Sequence, residues 1–151
     1  MSLQQRRAGY LAAVDVLGTK KAAGLDIEVP ISASGGANAL NTLTQAHPDI
    51  DAIFFSSDTL AIGAVQECHR RGWAIPGRIA IAGYGDIELA GQLWPPLTTV
   101  KIDRYEMGRK AATVLLERLG GKRPPTITSL GFEIVDRESA YELLTAKATE
   151  S

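Results

Sequence analysis

Two polar triplets stand where their residue types can hold a small polar molecule. Ser56-Ser57-Asp58 directly follows the apolar run Ala52 to Phe55, and Tyr84-Gly85-Asp86 closely follows the apolar run Ile79 to Ala82. Hydroxyls donate and accept hydrogen bonds, carboxylates accept, and glycine lets backbone approach a ligand closely. The chemistry on offer is recognition. A Ser-His-Asp hydrolase would need a Gly-x-Ser-x-Gly elbow, which is missing, and the two histidines, His47 and His69, fall at a helix end and in mid-helix. A phosphoreceiver reading starts from Asp58 at a strand end and Lys101 after a later one, yet residues 25–34 lack the adjacent acidic pair that would hold magnesium. The lone Cys68 excludes an internal disulfide and a cysteine-pair zinc site, and reads as a packed helix residue. No catalytic residue, metal or cofactor is expected.

The elements that position these triplets follow from hydrophobic periodicity. Leu3, Tyr10, Leu11, Val14 and Leu17 predict a helix up to Gly18, and a short strand is expected near Ile27 to Ile31. Ser34-Gly35-Gly36 opens a second helix with Leu40 and Leu43 inward, which His47-Pro48-Asp49 ends. Ser57 or Asp58 caps a third helix that runs through Ile62 and Val65 to Arg71-Gly72. Two short all-apolar runs separated by a helix-length segment predict buried parallel strands joined by right-handed crossovers. The architecture is an open α/β parallel sheet flanked by helices. In such sheets ligands lie beyond the carboxyl ends of the strands, which brings both triplets to one crevice. Met107, Ala111, Val114, Leu115 and Leu119 predict an amphipathic helix from Asp103, followed by a loop over Gly120 to Pro125, a closing strand within Ile127 to Val135 and a short helix from Glu138 to Ser151.

Composition narrows the function classes. With 45% hydrophobic and 22% charged residues the chain is an ordinary globular one, and its 16 Lys and Arg against 17 Asp and Glu give a net charge of -1. The basic stripe of a phosphate-tracking surface is missing, so these residues alone should bind DNA poorly. No apolar run approaches the roughly 18 residues of a membrane span, and two adjacent arginines without an apolar stretch do not make a secretory signal. A cytoplasmic location without membrane association is expected.

Four blocks in order resemble the effector-binding domain of lactose-repressor-type (LacI/GalR) transcription regulators and cover nearly all of the chain. They are QRRAGYLAAV (Gln5 to Val14), DAIFFSSDTLAIGAV (Asp51 to Val65), IAIAGYGDIELAGQLWPPLTTVKID (Ile79 to Asp103) and GFEIVDRESA (Gly131 to Ala140). The GYGD and Ser-Ser-Asp variants most resemble the branch that includes gluconate-utilisation repressors. The resemblance implies a fold like type I periplasmic binding proteins, here one subdomain plus a crossover helix. Residues 3–100 and 126–140 would form mostly the C-terminal subdomain. The helix over 103–120 would pack on an N-terminal subdomain that, like the DNA-binding head, is not among these residues. Met1-Ser2-Leu3 reads more like an added leader than a native start.

The resemblance also assigns roles. Arg6 matches an arginine that reaches into the cleft, where its planar fork suits a carboxylate or a diol, although a solvated helix-start arginine is the plain alternative. Ser57 stands where many members carry a ligand-contacting asparagine, and Asp58 adds a ligand role to capping. At Gly85 the usual sugar-binding aspartate is replaced, which should favour an anionic ligand by removing a carboxylate and leaving a backbone N–H free; Asp86 turns inward or is an exposed turn residue. Ile62, Leu93 and Trp94 lie where the family builds its dimer seam, with burial inside the monomer as the alternative for Trp94. The implied function is effector sensing and dimerisation in a regulator that binds a small sugar or a sugar acid such as gluconate and reaches operator DNA through the head. A sugar-binding protein of a transport system shares the fold and is the rival reading.

Overall fold

A computed structural model describes residues 3–16 and 27–140. The elements are α1 (Leu3–Val16), α2 (Ala33–Ala46), β1 (Ala52–Phe54), α3 (Asp58–Arg70), β2 (Ala80–Tyr84), a 3-10 turn (Glu88–Gln92), β3 (Thr98–Lys101), α4 (Arg104–Leu119) and β4 (Glu133–Val135). The sheet order is β1-β2-β3-β4. The first three strands are parallel, with Ile53 level with Ile81 and Gly83 with Thr99, and β4 closes the sheet antiparallel to β3. The α/β class expected from the sequence is therefore present, with one antiparallel edge added. The stop expected at Gly18 and the helix expected beyond residue 140 lie outside the described residues.

The helices start where side chains can take their unpaired N–H groups. Ser32 caps α2, its Oγ accepting from Gly35 N at 3.0 Å, and Ser57 caps α3 by accepting from Thr59 N at 3.3 Å. Gly72, at φ +66°, follows the end of α3 in the left-handed conformation that suits glycine. Helices α2 and α3 touch through glycine. A Cβ on Gly36 would fall 1.9 Å from the Leu60 carbonyl oxygen, and one on Gly63 would fall 1.8 Å from that of Ala33. This backbone-on-backbone contact joins the two helices, which share with the sheet a core in which Leu40, Val65, Cys68, Ile79, Ile81 and Leu97 are fully buried.

One expectation is corrected. The run Ile27 to Ile31 forms no strand: Ile27 and Val29 pack against the core, but the sheet order ends at β1. A segment becomes a strand only when a neighbour offers matching backbone groups, and among the described residues no strand is aligned with it. The closing strand falls within the stretch expected for it, as β4 over Glu133–Val135, paired with β3 at three positions.

Helix α4 is an amphipathic helix without a covered face. Asp103 caps it, accepting from Glu106 N at 2.8 Å, yet none of its residues is buried, and Leu115, Leu116 and Leu119 are 59%, 67% and 76% exposed. Phe132 and Ile134 nearby in sequence are exposed as well.

Candidate functional site

The carboxyl ends of β1 and β2 bring the two polar triplets together through Asp58. Its carboxylate is 1% exposed. Oδ1 accepts from Thr99 Oγ1 at 2.6 Å on β3, and Oδ2 accepts from the Ile87 backbone N at 2.9 Å, beyond the Tyr84-Gly85-Asp86 turn. The first turn of α3 adds a favourable dipole. Gly83 is what allows this approach, since a Cβ there would stand 2.3 Å from Asp58 Oδ1. The carboxylate expected to face a ligand is thus committed to joining β1, the β2 turn and β3. Ser56 and Ser57 remain half-buried at the rim.

The turn itself is shaped by its backbone. Gly85 has φ +131° and Asp86 φ +48°, both in the region L side chains seldom occupy. The Gly85 N–H, expected to be free for an anion, instead donates to Val100 O at 2.8 Å, because the β2–β3 ladder runs one residue past Tyr84 opposite Val100. Asp86 is held within the protein rather than left as a free turn residue. It accepts from Arg137 Nη2 at 2.8 Å, and Arg137 Nη1 donates to Leu97 O at 2.8 Å. Ser139 completes this lock, donating to Ile81 O at 2.6 Å and accepting from Thr98 N at 2.8 Å. The Arg-Glu-Ser ending and the Leu-Thr-Thr return therefore clamp one another across β2 and β3.

Two arginines approach the turn from elements far apart in sequence. The Arg6 guanidinium on α1 lies 4.2 Å from the Tyr84 ring centroid, a cation–π contact that places α1 over the end of β2. Arg104, the first residue of α4, donates through Nη2 to Gly85 O and lies 3.1 Å from where a Gly85 Cβ would be. Arg6, Ser57, Asp58, Gly85 and Asp86 thus gather at one end of the sheet, with Asp58 and Asp86 turned into the protein. Arg104, Thr99 and Arg137 were missed as candidates. The last two belonged to recognisable blocks, whereas an exposed arginine opening a helix carries no sequence signal of its own.

The expected dimer residues separate. Ile62 is buried within the chain at 6% exposure and Leu93 packs partly against the core, so neither offers a free apolar face. Trp94 is 83% exposed, which overturns its burial inside the monomer. Away from the site, Arg71 bonds Glu67 Oε1 at 2.7 Å and lies 4.8 Å from the Trp73 ring, with Arg78 at 5.1 Å from the same ring. The Arg71 hydrogen bond, with the charges of Arg70 and Arg71 and a hydrogen bond from Asn41, holds the Glu67 carboxyl below its ordinary range against the opposing effect of burial. Among the described residues no group of three or more histidine, cysteine or acidic side chains is arranged to hold a metal ion, and no helix is long and apolar enough to cross a membrane.

Residues 2–140 match the model of the periplasmic binding protein-like domain, and the chain belongs to that family. Its relatives are of the LacI/GalR type. The chain is 35% identical over 111 residues to the HTH-type transcriptional regulator GntR of Pseudomonas aeruginosa, covering 73% of this chain and 32% of that protein. The crystal structure of the transcription regulator GntR from Chromobacterium violaceum superposes with a TM-score of 0.82 at 38% identity, over 91% of this chain and 51% of that one. A LacI family regulator from Enterococcus faecium, solved with bound ribose, gives a TM-score of 0.80 at 25% identity, over 89% of this chain and 50% of that one. The chain therefore spans about a third of that curated relative and about half of these solved ones.

Proposed function

We propose that this chain is the C-terminal part of the effector-sensing domain of a LacI-type transcription regulator, acting in the cytoplasm as a homodimer and without catalysis. Residues 3–100 and 126–140 form mostly one subdomain, and the helix over 103–120 belongs against the other, a division supported by the uncovered face of α4. A small sugar or a sugar acid such as gluconate occupies the crevice between the subdomains, with Arg6 and Ser57 reaching it and Asp58, Gly85 and Asp86 shaping its floor. Operator DNA is reached through a head outside these residues, in line with a net charge of -1. Effector binding controls the head by making different contacts in two arrangements of the subdomains, the condition any such coupling must meet.

The observation that carries the reading is the convergence of Arg6 and the Tyr84-Gly85-Asp86 turn at the carboxyl ends of the strands, where open α/β sheets bind ligands. Relatives named as transcription regulators favour it over a transport receptor. Titration calorimetry of the full polypeptide carrying this chain, with gluconate, glucose and ribose, tests it. Saturable binding that Arg6→Gln weakens at least tenfold is expected. Binding indifferent to Arg6 would move the site elsewhere.

A further inference from the structure

Arg104 is placed against the electrostatic preference of its own helix. It opens α4, where the helix dipole is positive and a cation is disfavoured. The acidic groups around it are committed elsewhere. Asp103 accepts from the Glu106 backbone, Glu106 pairs with Arg109 at 2.5 Å, Asp86 pairs with Arg137 at 2.8 Å, and Asp58 accepts from Thr99 and Ile87. Among the described residues no carboxylate lies within ion-pairing distance of the Arg104 guanidinium. Its one described hydrogen bond is to the Gly85 carbonyl, a neutral acceptor that takes one of the five N–H donors in the guanidinium fork. It stands 3.1 Å from the position a side chain on residue 85 would begin to fill. Glycine at 85 therefore leaves room for a cation.

We propose that Arg104 is a specificity-determining residue that receives the carboxylate of an acidic effector, while Arg6, held over the adjacent Tyr84, contacts the same molecule. This rests on the effector-crevice reading above and deepens it. Anion preference then comes from a guanidinium whose charge no carboxylate among the described residues neutralises, and the engaged Gly85 N–H takes no part. Arginine fits the task because its fork accepts a carboxylate through two parallel hydrogen bonds.

The test uses the full polypeptide carrying this chain and the matched pair D-gluconate and D-glucose in titration calorimetry. The wild type should bind gluconate more tightly. Arg104→Gln keeps part of the stem and an N–H donor group but loses the charge, and should weaken gluconate about 10-fold to 100-fold, the range of a charge-assisted bond, with glucose affinity unchanged; Arg104→Lys should recover part of the loss. Thermal unfolding without ligand should be the same for both variants and the wild type, since the side chain is exposed. Equal weakening of both sugars, no change in either, or a wild type that prefers glucose or binds neither overturns the proposal. Arg6→Gln separates the two levels: if it weakens binding where Arg104→Gln does not, the crevice reading stands and the role of Arg104 falls.

Discussion

Removing the Asp58 carboxylate should destabilise the fold before it affects any ligand. The group accepts one hydroxyl and one backbone N–H, at 2.6 and 2.9 Å, and is 1% exposed. Hydrogen bonds to a charged acceptor contribute about 1.5–3 kcal/mol each, and Asp58→Ala leaves the Thr99 hydroxyl and the Ile87 N–H without their acceptor. A loss on the order of 3–4 kcal/mol follows, which for a domain of this size lowers the unfolding midpoint by about 6–16 °C. Asp58→Asn should lose at least half as much, because an amide offers one acceptor oxygen, turns its NH2 toward the other donor and loses the charge. Thr99→Val, close in shape, should cost about 1–2 kcal/mol by the loss of one bond. Since the two side chains touch, the double variant should fall short of the sum by about 1 kcal/mol or more. Urea unfolding of the four proteins without ligand, followed by circular dichroism, measures this cycle. A loss below about 0.5 kcal/mol for Asp58→Ala, or strict additivity with Thr99→Val, would refute the clamp and return Asp58 to the ligand-facing role read from the sequence.

Further outcomes rest on separate contacts. Gly63→Ala puts a methyl 1.8 Å from the Ala33 carbonyl oxygen and should cost at least the 1–3 kcal/mol typical of overpacking, whereas Gly121→Ala, with open space around it but φ +81°, should lose less; equal losses in urea unfolding would contradict the close α2–α3 contact. Cys68 is fully buried and its thiol is pushed up to about 11 by burial, so a disulfide reagent at neutral pH should label it only at the rate of unfolding, and labelling within seconds in native buffer would be inconsistent with that burial. Arg71, Arg70 and Asn41 hold the Glu67 carboxyl below its ordinary 4.5; its contribution is complete above that value and is lost as pH falls through the lowered one, so Glu67→Gln should flatten acid unfolding below about pH 4.5 and leave the slope at pH 7 unchanged. Trp94→Glu should shift sedimentation toward monomer, since this 83%-exposed side chain is the apolar feature left at the expected seam; an unchanged profile would place the dimer contact elsewhere.

What the sequence made legible was local chemistry, and what it hid depended on partners. Ser57 before Asp58 reads as a helix start from residue types alone, and the structure caps α3 with Ser57. The apolar runs at β1 and β2 announce parallel strands, and β2 is mostly buried as expected, whereas Ala52 and Phe54 leave one face of β1 exposed. The segment Ile27 to Ile31 alternates its apolar residues with Glu28 and Pro30, and strand formation there needs a neighbouring backbone that a residue pattern does not record. Gly85 shows the same division. Its substitution for an acid was visible, but the fate of its N–H depended on how far the β2–β3 ladder runs, and the ladder ends on that N–H.

The arrangement of acids at this crevice decides what kind of ligand it suits. Asp58 and Asp86 are the two carboxylates a sequence reading places toward a sugar, and both are drawn inward, by Thr99 and Ile87 in one case and Arg137 in the other. Each is held by an element that follows it by 29 to 51 residues, so the floor of the crevice forms only when β3 and the Arg137 segment are seated. Arg6 and Arg104 approach the same turn. On the reading proposed above, a crevice whose acids are paired within the protein and whose guanidinium groups approach the turn would favour acceptor-rich, negatively charged molecules, and the matched aldonate and sugar measure that bias directly.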